Sequence, residues 1–246
     1  MSDIRVTAIV VTRGDVDLQP ILESLPANWE KLVWTNGQGV SSWTPEGVWR
    51  YGQERQHVVQ VGSGGMVRLD QGTLDLGLER SVFPDRSVYG RYAAIDYAGG
   101  DLIYVQDDDV MVSDPIELVT QWLIPSWGRQ DHVVCNMPQE FRHDFYKDHA
   151  LVGFGGVFRR DAPARAFKRY WDAYYLDETI VPSEADRWAL DRTCDVVFTA
   201  LSPRVLVDVP KMNLAWATDE SRMYRQPEHV AERARALELA LQVRDA

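Results

Sequence analysis

The sequence predicts an α/β fold: a mixed, mostly parallel sheet with helices on both faces and a C-terminal helix. Three observations carry this. Strand-like runs such as "IRVTAIVVT" (4–12) are apolar almost without interruption, as strands covered on both faces are. Strand, helix and strand signals follow one another within the first 37 residues, which is the spacing of a parallel βαβ unit. The second half alternates helical periods with short apolar runs in the same way.

Taken in order, "IRVTAIVVT" reads as a central strand. "DVDLQPILESLP" (15–26) places Val16, Leu18, Ile21, Leu22 and Leu25 at helical spacings and closes on Pro26. "EKLVWTNG" (30–37) is a second strand ending in an Asn-Gly turn signal. Residues 37–83 mix Gly, Ser, Trp and Gln with short runs such as "HVVQV" (57–61) and show no clear period; "GSGGM" (62–66) has neither phosphate-loop spacing. A helix is expected over 88–98, stopped by Gly99 and Gly100, and a strand from Leu102 leads into "DDD". "PIELVTQWL" (115–123) reads as a helix with Pro at its start. "HVVCNM" (132–137) and "LVGFGGVFRR" (151–160) read as strands, 162–175 and 183–201 as helices, "RVLVDVP" (204–210) as a strand and 227–245 as the last helix. One α/β domain is expected over 1–246, with an elaborated second half after about residue 115.

Composition narrows the function. The 246 residues carry a formal charge of −11, which argues against a surface that grips nucleic-acid phosphates through Lys and Arg. No apolar run approaches the roughly 20 residues that span a bilayer. The first residues meet Arg13 and Asp15 too soon for a secretory signal, so the expected home is the cytoplasm. Cys135 and Cys194 make neither a metal spacing nor a disulfide framework.

The feature that asks for chemistry is Asp107, Asp108 and Asp109 at the end of an apolar strand. At an effective dielectric near 20, two unit charges 4 Å apart cost about 4 kcal/mol, so such a run needs compensation. Side chains alternate on an extended chain, which puts Asp107 and Asp109 on one side and Asp108 on the other. Two same-side carboxylates in a crevice suit Mg²⁺ or Mn²⁺ together with phosphate oxygens. The alternative is an acid-rich turn whose side chains bond local amides.

"VVTRGD" closing the first strand, "RYAAIDYA" in a helix and an apolar strand running into "DDDV" together resemble nucleotide-sugar-dependent glycosyltransferases of the GT-A fold. The "DDD" form, with "TCDVVFTAL" (193–201) downstream, is similar to the glycosyltransferase domain of the exostosin family. Where that family's downstream helix carries paired acids, this chain has Cys194 and Asp195.

The resemblance implies a metal-dependent hexosyltransferase with a nucleoside diphosphate sugar as donor, 1–115 being the nucleotide-sugar-binding half and 116–246 the acceptor-binding half with the C-terminal helix. It implies Asp109 as the leading metal ligand, Asp107 near the metal or the ribose, and Thr12, Arg13, Asn36 and Arg91 lining the nucleotide pocket. It also implies His229 completing the metal shell and Asp195 as the acid at the reacting sugar, with retention favoured over inversion. The segment 213–226 reads either as a plain surface loop or as one that closes over the donor, with Arg222 or Arg225 reaching the diphosphate.

Local alternatives stand beside these roles: a solvated Arg91, an N-cap for Asp195, a surface position for His229. "GFGG" (153–156) reads as a bend under a helix or as an acceptor-site floor. Trp34, Trp43, Trp49, Trp188 and Trp216 suit either core or sugar stacking. The acceptor stays open between saccharide, protein, lipid-linked sugar and modified DNA base. Two other functions compete. One is a non-catalytic module binding carbohydrate and a metal; the other is a nucleotidyltransferase making sugar nucleotides, for which "VTRGDVDLQP" (11–20) is poor in Gly and basic residues.

Overall fold

The computed structural model describes residues 4–12, 16–36, 47–51, 58–62, 65–69, 87–124, 131–174, 184–215 and 226–246. The central strand is β1 (Val6–Thr12), every residue of which is buried. It lies between β2 (Glu30–Thr35) and, later in the chain, Leu102–Asp107, parallel to both, with Ile9 level with Leu32 and Val105. A three-strand meander extends the sheet beyond β2, formed by β3 (Gly47–Tyr51), β4 (Val58–Gly62) and β5 (Gly65–Leu69), each antiparallel to its predecessor. This accounts for part of the stretch where the sequence shows no clear period. Three short strands paired with one another need no long apolar run.

On the other side, β6 (Leu102–Asp107) pairs antiparallel with β9 (Gly156–Arg159), which pairs antiparallel with β8 (Val133–Asn136). The latter is parallel to β10 (Arg204–Val207). In the row β10-β8-β9-β6-β1-β2, five strands therefore run one way and β9 opposes them. The central sheet is mostly parallel, as the sequence predicts.

Each face of the sheet carries its own apolar cluster. One gathers Val10, Val33 and Tyr104 with α1 (Gln19–Ser24) and α3 (Pro115–Leu123), through Ile21, Leu22, Leu118 and Trp122. The other gathers Ile9, Leu32 and Ile103 with α2 (Gly90–Ala93), α4 (Ala162–Tyr174), α5 (Glu184–Leu201) and α6 (Pro227–Asp245), through Tyr92, Phe167, Phe198 and Ala236. Side chains of successive strand residues enter opposite clusters, so a continuous apolar run is what this sheet needs.

Several elements differ from expectation. The first helix starts only at Gln19, where Pro20 opens it and the Asp17 carboxylate accepts the Gln19 N–H at 2.9 Å. The helix expected over 88–98 is a single α turn between two 3₁₀ turns, Ser87–Tyr89 and Ala94–Tyr97. Gly90, Arg91, Tyr92, Ala94 and Ile95 are all buried, and one amphipathic stripe of a regular helix does not bury neighbours in that way. The strand expected over 151–160 is confined to β9, because residues 153–154 turn and Gly155, at φ 111°, adopts a conformation that side-chain-bearing residues rarely reach. A second, two-stranded sheet joins β7 (Val110–Val112) to β11 (Lys211–Asn213), with Met111 opposite Met212.

Candidate active site

Because β1, β2 and β6 are parallel, their last residues reach the same edge of the sheet, where α/β folds bind ligands. Thr12, Thr35 and Asp107 end these strands, with Asn36 one residue on. Strand β6 stops at Asp107, so Asp108 and Asp109 form a turn into β7 rather than continuing the alternation. Asp108 is nevertheless the acid that faces inward. It is buried, and the Thr12 hydroxyl donates to its Oδ2 at 2.7 Å. Thr12 thus holds the acidic turn to the first strand. Asn36 is locked as well, accepting from the Trp34 indole and donating to the Ser87 carbonyl, each at 3.0 Å.

Arg91 is not solvated. It is fully buried, and its guanidinium lies between two carboxylates. Its Nη2 donates to Asp107 Oδ1, and its Nη1 stands 3.3 Å from Asp195 Oδ2 without the alignment of a hydrogen bond. Burial would lower the Arg91 pKa, but Asp107 and Asp195 outweigh it and the pKa rises, so the cation is firmly held. Gly90 makes this inward turn possible: a Cβ there would enter the Trp34 indole.

Asp195 lies well inside α5, which rules out the N-cap alternative. The Tyr92 hydroxyl donates to its Oδ1 at 2.7 Å, so consecutive residues of one short turn grip both its oxygens. Burial raises the Asp195 pKa, with Asp107 adding to the rise, while Arg91 and the Tyr92 hydrogen bond oppose it; the net direction is upward. A carboxylate with a raised pKa is a better proton acceptor once ionised. Thr199 tightens the same turn by donating to the Asp195 carbonyl at 2.7 Å, and its hydroxyl accepts the Ala150 N–H at 3.0 Å.

Gly153 seats Asp107. The Asp107 N–H donates to the Gly153 carbonyl at 2.8 Å, and a Cβ on Gly153 would collide with the Asp107 carboxylate. "GFGG" is therefore a bend packed against the acid. Among the residues that matter here, Tyr92 and Thr199 stand inside the quoted runs "RYAAIDYA" and "TCDVVFTAL" without a role that motif reading assigns them, and Gly153 opens "GFGG", where only its contact with Asp107 could not be read.

Asp107 keeps a third of its side-chain surface exposed, and Asp109 is half-buried. Mg²⁺ and Mn²⁺ commonly take one or two carboxylates and complete their shell with phosphate oxygens and water, so this pair fits such an ion. Among the described residues, no three His, Cys, Asp or Glu side chains group as metal ligands, so His229 is not joined there to Asp107 and Asp109. His229 instead opens α6 as a buried residue near Arg233 and Arg192. Arg13, Arg222 and Arg225 lie outside the described residues, as do Trp43, Trp216 and the Trp49 side chain. Trp34 is core and Trp188 is exposed. Among the described residues no helix is long and apolar enough to cross a membrane. No family model matches this chain, and no curated protein matches it either.

Proposed function

We propose that this protein is a metal-dependent glycosyltransferase that moves a sugar from a nucleoside diphosphate donor to an acceptor hydroxyl. The observation that carries the reading is the Asp107–Arg91–Asp195 array beside the acidic turn at the carboxyl edge of the parallel strands. Through one fully buried guanidinium it joins Asp107, two residues from Asp109, with an acid on a distant helix. Sugar transfer needs two such electrostatic centres, because negative charge grows on the departing diphosphate while the anomeric carbon turns cationic.

Asp109 and the part-exposed Asp107 are the residues that would hold Mg²⁺ or Mn²⁺, which when bound supplies Lewis-acid stabilisation to the diphosphate. Asp195 takes the proton of the acceptor hydroxyl or stabilises the cationic sugar, and its raised pKa suits the former. Arg91 and Tyr92 fix the Asp195 carboxylate from both sides, so little reorganisation is needed during reaction. Arg91 is thus a positioning residue rather than a nucleotide contact.

The test is release of nucleoside diphosphate from a panel of UDP- and GDP-sugars with and without Mn²⁺. Metal-dependent release that disappears in Asp109→Ala is the expected result. No release with any donor, and no metal-dependent thermal shift, defeats the reading; donor binding without turnover points to the non-catalytic module.

A further inference from the structure

A basic and aromatic surface between α6 and residues 143–150 takes no part in the chemistry above. At its centre is Arg233, half-buried on α6. Its Nη2 lies 3.1 Å from His149 Nε2, and its guanidinium lies over the rings of Phe145 and Tyr146, 5.4 and 5.6 Å from their centroids. Among the described residues no carboxylate stands within ion-pairing distance of it. Two acids of the neighbourhood are committed elsewhere, Glu232 to Arg192 and Asp148 to Arg244, each at 3.1 Å. Arg204 on β10 is in the same position as Arg233, spending its donors on the carbonyls of Thr199 and Lys147. Both guanidiniums act on His149, which is 1% exposed. In a chain with a net charge of −11, two guanidiniums converge here with no carboxylate in ion-pairing distance of either among the described residues.

This surface is wired to Asp195. His149 precedes Ala150, whose N–H reaches Thr199, which in turn bonds the Asp195 carbonyl. The Arg192–Glu232 pair fixes the α5 turn before Asp195 against the α6 turn that carries Arg233, and Arg233 is among the charges that act on Asp195. Phe145, 42% exposed, offers an apolar face beside the guanidinium. Two cations without a direct carboxylate partner among the described residues suit a dianion better than a single carboxylate, and a phosphate monoester carries about −1.5 to −2 at pH 7. Arginine's planar fork suits phosphate oxygens.

We propose that Arg233 and Phe145 form the acceptor subsite and that the acceptor is a phosphorylated sugar, its ring on Phe145 and its phosphate on Arg233. This rests on the glycosyltransferase reading. In the transfer, the bond from the anomeric carbon to the donor diphosphate breaks and the diphosphate leaves with the electron pair. The acceptor hydroxyl oxygen bonds that carbon, and its proton passes to the Asp195 carboxylate.

Calorimetric titration of the full chain in EDTA, which removes any contribution from a metal-bound diphosphate site, compares glucose 6-phosphate, glucuronic acid, glucose and inorganic phosphate. Glucose 6-phosphate is expected to bind at least about tenfold more tightly than glucose, the worth of one charge-assisted contact. Arg233→Gln erases that preference, Arg233→Lys keeps part of it, and Phe145→Ala weakens both sugars, with circular dichroism confirming each fold. Equal binding of glucuronic acid overturns the phosphate assignment. Inorganic phosphate binding as tightly as the phosphosugar, with no effect of Phe145→Ala, overturns the sugar subsite, as does an unchanged Arg233→Gln. A chain that hydrolyses donors with Mn²⁺ yet ignores glucose 6-phosphate loses this subsite alone. One that binds the phosphosugar through Arg233 yet turns over no donor loses the glycosyltransferase reading and the acceptor role with it.

Discussion

At the scale of single residues, the acids at this edge divide by their partners. Asp107 and Asp195 share a buried guanidinium, whereas Asp109 is half-buried on a turn. Breaking a buried charge pair strands its partner at a cost of about 3–5 kcal/mol. Arg91→Ala should therefore lower unfolding stability by about that amount in urea titrations. If the glycosyltransferase reading holds, Asp109→Ala should change it by under about 1 kcal/mol while abolishing donor turnover, since that reading assigns the half-buried side chain to binding. Gly153→Ala belongs to the same scale. Its Cβ enters the space of the Asp107 carboxylate, so the acid moves or the bend does. A loss of about 1–3 kcal/mol is expected, with turnover falling further than stability alone explains.

At the scale of elements, α3 shows how local chemistry sets a boundary. Asp114 precedes Pro115, its carboxylate accepts the Glu117 N–H at 3.1 Å, and the helix begins there. Asp114→Ala should cost about 1 kcal/mol by thermal or chemical denaturation, the usual worth of an N-cap. The α3 helix covers the sheet face opposite Asp195 through Leu118 and Trp122. Turnover per folded molecule should consequently stay near wild type. The short α2 turn is the contrasting case. Its shape follows from the residues it buries, Arg91 and Tyr92 above all, and not from any helical stripe.

At the scale of the whole molecule, the contact between α5, α6 and residues 143–150 makes stability depend on pH. Burial, with Arg233 and Arg204, lowers the His149 pKa to about 4, against the opposing field of Asp148. Burial, with Arg233 and Arg192, lowers that of His229 to about 4 as well. Unfolded histidines take up protons near pH 6.5 while these stay neutral until about pH 4, so the unfolded chain binds more protons in between. Their contribution is complete above the unfolded pKa and is lost as pH falls toward the folded one. The slope reaches at most about 1.4 kcal/mol per pH unit for each histidine. Urea midpoints should fall between pH 6.5 and 4.5 more steeply in the wild type than in a His149→Gln, His229→Gln double variant; parallel curves would remove this explanation.

How much was legible follows from the distance over which each feature is decided. Strands β1 and β6, the helices α3 to α6 and the acidic run at a strand's carboxyl end could be read directly, because hydrophobic period, Pro positions and turn residues act within a few neighbours. The mostly parallel order of the central strands also follows from that local alternation. Arg91 could not be read so. Its burial depends on Asp107, 16 residues away, and on Asp195, whose hydroxyl partner Tyr92 lies 103 residues from it. Asp108 turns inward because Thr12, 96 residues earlier, meets it across two adjacent strands. Local pattern determined which elements form and where the acids fall. Only the tertiary structure decided which cation answers each acid, since a charge deep in a fold is stabilised by whatever the packed strands and helices bring within a few ångströms.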